Sequence, residues 1–451
     1  MSATTIPESG PEETPSSTPP KPLTRAESRR ARLVTFRRIL IAVTVIIHLP
    51  FAGAMVSLAE RRGSAHALAI GLLSSALGLA LFTSRMRITM TETRSQSSRA
   101  RRLADIAYCI HWCACLFTII PAVIESIGVP IYDLAVGAPA HLPIGAFLWT
   151  YVTGLGVCAY GILVRRRWFV VRKLDVLVEG LDPTFDGFRI AHLSDLHIGT
   201  HTPKSWGARW TRAANRHGAD IAVVTGDLVA SGTEYHEDIA EVVGGLRARD
   251  GVFVSMGNHD YFGDGEPLVS MLDRRGAKVL RNAGVTLERG GKSLYLAGVD
   301  DTWTRRDDIE KALRDCPAEA TVVLLAHDPK SFQEAKKKEV ALTLSGHTHG
   351  GQIAVPFLSR WLSLSHFTHP FHQGLYREGR SALYVHPGLG TTGPPMRLGV
   401  APAVVILTLR SPKGSGGDAV TSRRPPRPTP SASEALPGRT PPSGPAPAPG
   451  L

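Results

Sequence analysis

Apolar positions are distributed along this chain in two different ways. Up to Val164 they form long runs, about 39–58, 65–82, 103–127 and 143–164. Each is near the roughly 20 residues with which a helix spans a bilayer. Asp105, His111 and Trp112 interrupt the third. Beyond Trp168 the runs shrink to strand length and alternate with amphipathic stretches of helical length, 203–217, 234–249 and 266–275. Strand, loop and helix in repetition predict an α/β domain. Its later part, with 283–288, 293–299, 382–386 and 403–409, is denser in strands.

The ends carry neither pattern. Residues 1–36 are first Pro/Ser/Thr/Glu-rich and then basic, and 411–451 are rich in Pro, Gly and Ser. Both are expected to be disordered tails, since neither offers enough apolar surface to fold. The expected organisation is a tail (1–36), a membrane region (37–167), an α/β domain (168–410) and a second tail (411–451).

The formal net charge of +12 sits in short arginine clusters beside the apolar runs. It forms no basic stripe interleaved with aromatics, so no nucleic-acid partner is expected. Arginines precede the first run, separate the second from the third and follow the fourth, whereas the other two loops hold only Arg61 and Arg62. By the positive-inside rule this alternation predicts a multi-pass cell-membrane protein with its α/β domain on the cytoplasmic side. Of five cysteines, Cys109, Cys113, Cys115 and Cys158 fall in apolar segments, which is no disulfide framework. With His111, the first three could be imagined as a metal site; small cysteines inside a membrane helix are the plainer reading.

The candidate chemistry lies at strand ends. The run 188–193 leads into Asp195 and His197, 221–224 into Gly226 and Asp227, 252–255 into Asn258, His259 and Asp260, 322–325 into His327, and 340–344 into Gly346-His347-Thr348-His349-Gly350-Gly351-Gln352. In α/β sheets ligands gather beyond the carboxyl ends of strands. Any one of these residues has a structural alternative as a helix cap, turn residue or core histidine. Five such strand ends together predict one polar pocket of carboxylates, an amide and imidazoles.

In that order, Asp195-x-His197, Gly226-Asp227, Asn258-His259-Asp260, His327 and Gly346-His347-x-His349 resemble the calcineurin-like metallophosphoesterases, and most closely their YkuE/YaeI-type membrane-associated branch. The resemblance runs from about Leu174 to Arg410. It implies a four-layer αββα sandwich and a binuclear metal centre. One ion would be held by Asp195, His197 and His349 and the other by Asn258, His327 and His347, with Asp227 bridging. His259 would protonate the leaving oxygen or stabilise the phosphoryl group, and Asp260 would orient its ring. Manganese, iron or zinc suits this many imidazoles better than magnesium. Gly346, Gly350 and Gly351 are expected to let the backbone pass close to the ions. Gln352 and Asp328 are candidates to fix imidazole tautomers, and Arg397 is a candidate substrate contact, while His366, His369 and His372 read as loop residues.

The expected activity is metal-dependent hydrolysis of a phosphodiester or pyrophosphate. The substrate would be lipid-linked, of the UDP-diacylglucosamine type or a phospholipid head group, by analogy with relatives. Two alternatives stay open: a phosphodiesterase of soluble nucleotides, and a membrane sensor or scaffold whose metal domain is not catalytic. Asp105 and His111 within a helix are the features that favour the last.

Overall fold

A computed structural model describes residues 25–91, 99–139, 144–354, 365 and 369–412. Residues 1–24, most of the expected C-terminal tail and His366 lie outside the described residues. The rest forms two compact units, one of helices as far as Cys158 and one mainly from Ala159 onward.

The helical unit comprises α1 (Arg25–Arg61), α2 (Ala67–Thr91), α3 (Arg99–Ala135) and α4 (Ile144–Ala159). The stretches 37–61, 67–84, 100–135 and 146–167 are long and apolar enough to cross a membrane. Leu49, Leu73, Ile120 and Trp149 are exposed, and the interior is lined by small side chains such as Ala54, Ala114 and Ala122. Large apolar groups outside and small ones inside suit a bundle whose solvent is lipid. Asp105, His111 and Trp112 do not break α3. Residues 25–36, expected in the disordered tail, are helical: the segment holds no Gly or Pro and is rich in Arg and Ala, good helix formers.

The second unit starts at Ala159 rather than at 168. The helical turns Tyr160–Val164 and Arg165–Arg167 pack within it. Arg397 N–H donates to the Gly161 carbonyl at 3.3 Å. Buried Arg166 donates to Ile162 and His201 carbonyls and lies 5.2 Å from the Trp206 ring. Part of the arginine cluster expected only to mark the cytoplasmic face therefore has a packing role.

Two six-stranded sheets build this unit. The strands are β1 (Val170–Leu177), β2 (Arg189–Leu193), β3 (Ile221–Thr225), β4 (Val252–Ser255), β5 (Ala277–Val279), β6 (Ala283–Arg289), β7 (Lys292–Gly298), β8 (Thr321–Leu325), β9 (Leu342–Ser345), β10 (Gly374–Glu378), β11 (Ser381–Val385) and β12 (Ala403–Arg410). The sheet orders are β1-β12-β2-β3-β4-β5 and β10-β11-β9-β8-β7-β6. The strands that carry the candidate residues are parallel neighbours, β2-β3-β4 in one sheet and β8-β9 in the other.

Period-two alternation explains the layers. Ile190, Ile221, Val223, Val323, Leu325, Leu342 and Leu344 meet between the sheets. Their neighbours Ala191, Leu193, Ala222 and Val224 face the other way, onto α5 (Lys204–Asn215), α6 (His236–Gly244) and α7 (Glu266–Arg274). Val322 and Leu324 face α8 (Ile309–Ala312) and α9 (Phe332–Lys337). The result is the expected α/β architecture, a four-layer αββα sandwich.

Candidate metal centre

The strand ends converge as anticipated. Asp195, His197, Asp227 and His349 place ligand atoms within 4.8 Å of one another, and so do Asp227, His327 and His347, with Asp227 shared. Asn258, at the end of β4, is buried and its Oδ1 meets no donor; Asp195 Oδ2 is likewise buried without one. Buried oxygens lacking a partner are costly. Here they face hard-cation chemistry, and the carboxylate, amide and imidazole set fits a pair of ions with a bridging carboxylate.

Backbone shape produces this convergence. Asp195, His197, Asp227, His347 and His349 all have positive φ, between 44° and 69°. β2, β3 and β9 therefore leave the sheet through left-handed residues, a conformation Asp and His tolerate better than most side chains. Gly346 is required for a different reason: a Cβ there would run into Ser194 Oγ and Asp195 Oδ2. Bonds across the sandwich lock the two sheet edges together. His347 N–H donates to Asp195 Oδ1 at 2.9 Å, and His327 Nδ1 donates to the Thr225 carbonyl at 2.7 Å.

Burial and charge divide the titratable groups. Burial works against charge on both His327 and Asp227, yet their contact at 3.2 Å overrides it. Their mutual attraction raises His327 to about 10 and holds Asp227 well below the usual carboxylate range. Burial pushes His197 down to about 3 and His347 to about 4, keeping both rings neutral with lone pairs to offer. It pushes Asp195 up to about 6. His197 and His349 face each other Nε2 to Nε2 at 3.0 Å.

The groups that orient the imidazoles differ from those expected. Asp260 does not hold the His259 ring. Its two oxygens accept from the backbone N–H groups of Leu228, Val229 and Gly257 at 2.8–3.1 Å, knitting the loops that carry Asp227 and Asn258. His259 Nδ1 instead donates to the Ala230 carbonyl at 2.7 Å, leaving Nε2 beside Thr392 Oγ1 at 3.4 Å. Gln352 bonds the backbone of Thr392 and Pro394, and Asp328 caps its own turn at Lys330, so neither fixes an imidazole. Arg397 is fully buried, donates to the carbonyls of Pro387 and Gly390, and reaches His349 Nδ1 at 3.3 Å. It braces the 387–390 loop behind His349 and is not placed to meet substrate.

Two residues escaped the sequence reading. Trp303 is 62% exposed with its ring 5.6 Å from that of His347, and Phe262 is 48% exposed, 4.4 Å from that of His259. Both lie in loops with no pattern to single them out. His369, expected as a plain loop residue, packs edge-on to His347 at 5.3 Å, whereas His372 is buried beside Tyr376.

Known proteins share this design. The calcineurin-like phosphoesterase family matches residues 188–351. An uncharacterized metallophosphoesterase of Aquifex aeolicus is 32% identical over 256 residues, 54% of this chain and 92% of that protein. Bacillus subtilis YkuE, an uncharacterized metallophosphoesterase, is 31% identical, covering 50% of this chain and 80% of its own. The chain belongs to the calcineurin-like metallophosphoesterases. A Danio rerio transmembrane protein with metallophosphoesterase domain is 32% identical over 56% of this chain and 60% of that protein. The chain thus spans about 60% of the length of the vertebrate relatives it matches.

Proposed function

We propose that this chain is a membrane-embedded phosphohydrolase that cleaves a phosphodiester or pyrophosphate bond with water. The observation that carries the reading is the pair of buried ligand clusters sharing Asp227. Asp195, His197 and His349 would hold one ion, Asn258, His327 and His347 the other, with Asp227 between them; manganese, iron or zinc fits this donor set. Two such ions supply a nucleophilic water near neutral pH and neutralise the phosphoryl oxygens.

The residues of the chain do the rest. The Thr225 carbonyl keeps His327 in position, and Arg397 holds the 387–390 loop behind His349. His259, its Nδ1 proton committed to Ala230, holds Nε2 beside Thr392 Oγ1, from where it would deliver a proton to the departing oxygen. Asp260 holds the loops that aim Asp227 and His259.

The membrane helices and the exposed Trp303 and Phe262 favour a substrate with an apolar part, a lipid-linked diphosphate or phospholipid head group, over a soluble nucleotide. The arginine alternation supports a cytoplasmic catalytic side. The test is metal-dependent hydrolysis by the full-length chain in detergent, on bis-p-nitrophenyl phosphate and on a nucleotide-diphospho-lipid, beside Asp227→Ala. Turnover restored by added Mn²⁺ and absent in the variant supports the reading. A folded, metal-loaded protein without turnover on either substrate overturns it in favour of a sensor or scaffold.

A further inference from the structure

The helical unit holds a second convergence of ligating side chains. His48 on α1 and His111 on α3 face each other Nε2 to Nε2 at 3.3 Å. Cys115, one turn after His111, places Sγ beside the ring, 3.8 Å from His111 Nδ1 and 3.9 Å from its Nε2, and one ligand atom from each of the three lies within 4.8 Å of the others. His48 and Cys115 are buried. Nitrogens bound to one ion at roughly 2.0–2.1 Å, in tetrahedral or trigonal geometry, stand about 3.3–3.6 Å apart. A thiolate at roughly 2.3 Å stands about 3.5–3.8 Å from such a nitrogen. The His–His spacing falls in the first range, while Sγ stands just outside the second and would close on the ion as it binds.

The outer nitrogens are also arranged as in a metal site. His48 Nδ1 donates to the Thr44 carbonyl at 2.7 Å, and His111 Nδ1 meets Tyr151 Oη on α4 at 2.8 Å. Each ring thus has its far side fixed by an oxygen and its Nε2 turned to the other ring, as in a pair of ligating histidines. Gly78 on α2 admits the His48 ring, which a Cβ there would strike. All four helices contribute to the arrangement.

We propose that His48, His111 and Cys115 bind monovalent copper within the helical unit. Thiolate and imidazole are the donors that select a soft ion. The apolar surroundings decide the charge: one thiolate and two neutral rings around Cu⁺ sum to zero, whereas a divalent ion would leave a net charge in a medium that penalises it. Binding forms the Cu–S bond, releases the thiol proton to solvent and changes no oxidation state. The ion would tie α1 to α3. This site is independent of the phosphohydrolase reading.

Free thiols also stand at Cys109, Cys113, Cys158 and Cys316, so loss of sulfur ligation in Cys115→Ser is what assigns it to this site. Full-length protein in detergent is loaded anaerobically with Cu⁺ and read by copper-edge X-ray absorption. The expected result is about one copper per chain with one sulfur at roughly 2.3 Å, the sulfur lost in Cys115→Ser and the copper lost to a chelator at least tenfold more readily in His111→Ala. Helix content by circular dichroism shows whether each variant is folded. Wild-type protein that binds no copper through sulfur overturns the proposal and leaves only a hydrogen-bonded chain from Tyr151 to Thr44. Residual copper–sulfur ligation in Cys115→Ser, or zinc held through sulfur where copper is not, overturns it as well.

Discussion

The Arg397 guanidinium stands 3.3 Å from Nδ1 of His349, at full burial and with its other donors on the carbonyls of Pro387 and Gly390. Burial lowers it to about 9, which still leaves it charged at neutral pH. A lysine cannot make this fork of bonds. Arg397→Lys is therefore expected to loosen the 387–390 loop packed behind His349, and through it to weaken retention of one ion. Metal titration of the dialysed variant measures this; unchanged affinity for both ions would separate Arg397 from the centre.

His259 and Asp260 are adjacent but do different work, so their variants should fail differently. His259→Asn is expected to retain both metals and lose about 10²–10⁴-fold in turnover, the range for removing a general acid. Full activity would end its proposed role.

Asp260→Ala leaves three buried backbone donors without their acceptor, at about 1–3 kcal/mol each. Its expected signature is a lower denaturation midpoint accompanied by partial metal loss. A variant as stable as wild type with a shifted pH–rate profile would instead restore the ring-orienting role.

Gly346→Ala pushes a methyl group against Ser194 and Asp195, where the two sheets meet. The variant is expected to lose metal binding while far-UV circular dichroism stays near wild type, because the clash falls on the strand ends and spares the sheets. Normal metal stoichiometry would refute the crowding.

Beneath the centre, His192 and His386 lie with ring centroids 4.8 Å apart, both fully buried. Burial lowers His192 to about 3 and His386 well below its ordinary value. The unfolded chain, with ordinary values near 6.5, binds more protons in this range, so stability is full above about pH 6.5 and lost as pH falls toward 3. The loss approaches about 1.4 kcal/mol per pH unit for each ring. Urea unfolding of the metal-free protein at pH 7.5 and 5.5, compared with His192→Asn, should show a smaller acid loss in the variant.

What the sequence revealed followed from short-range rules. Runs such as 221–224 and 322–325 are apolar because β3 and β8 are covered on both faces, and the Gly-Asp or Ala-His after them marks where the strand ends. The candidate site residues could be picked out because they sit at those ends. Their supports were not. Ala230 acts through its carbonyl, which any residue supplies, and Asp260 and Arg397 are set by loops that meet only in the folded chain. β10 was hidden for a related reason: Gly374–Glu378 is half-buried at a sheet edge, with little apolar pattern to read. His48 and His111, 63 positions apart, gave no joint signal, since a helix pattern does not say which helix lies beside it.

The five left-handed ligand residues have an energetic consequence beyond geometry. Each carries a penalty of about 1 kcal/mol, which together is a large fraction of the roughly 5–15 kcal/mol that keeps a domain folded. A cation that binds only the folded form offsets this through mass action. Folding and loading are thus one equilibrium. Where metal is scarce the domain is expected to open more often and meet proteases sooner, so the lifetime of the protein becomes a readout of the ions around it.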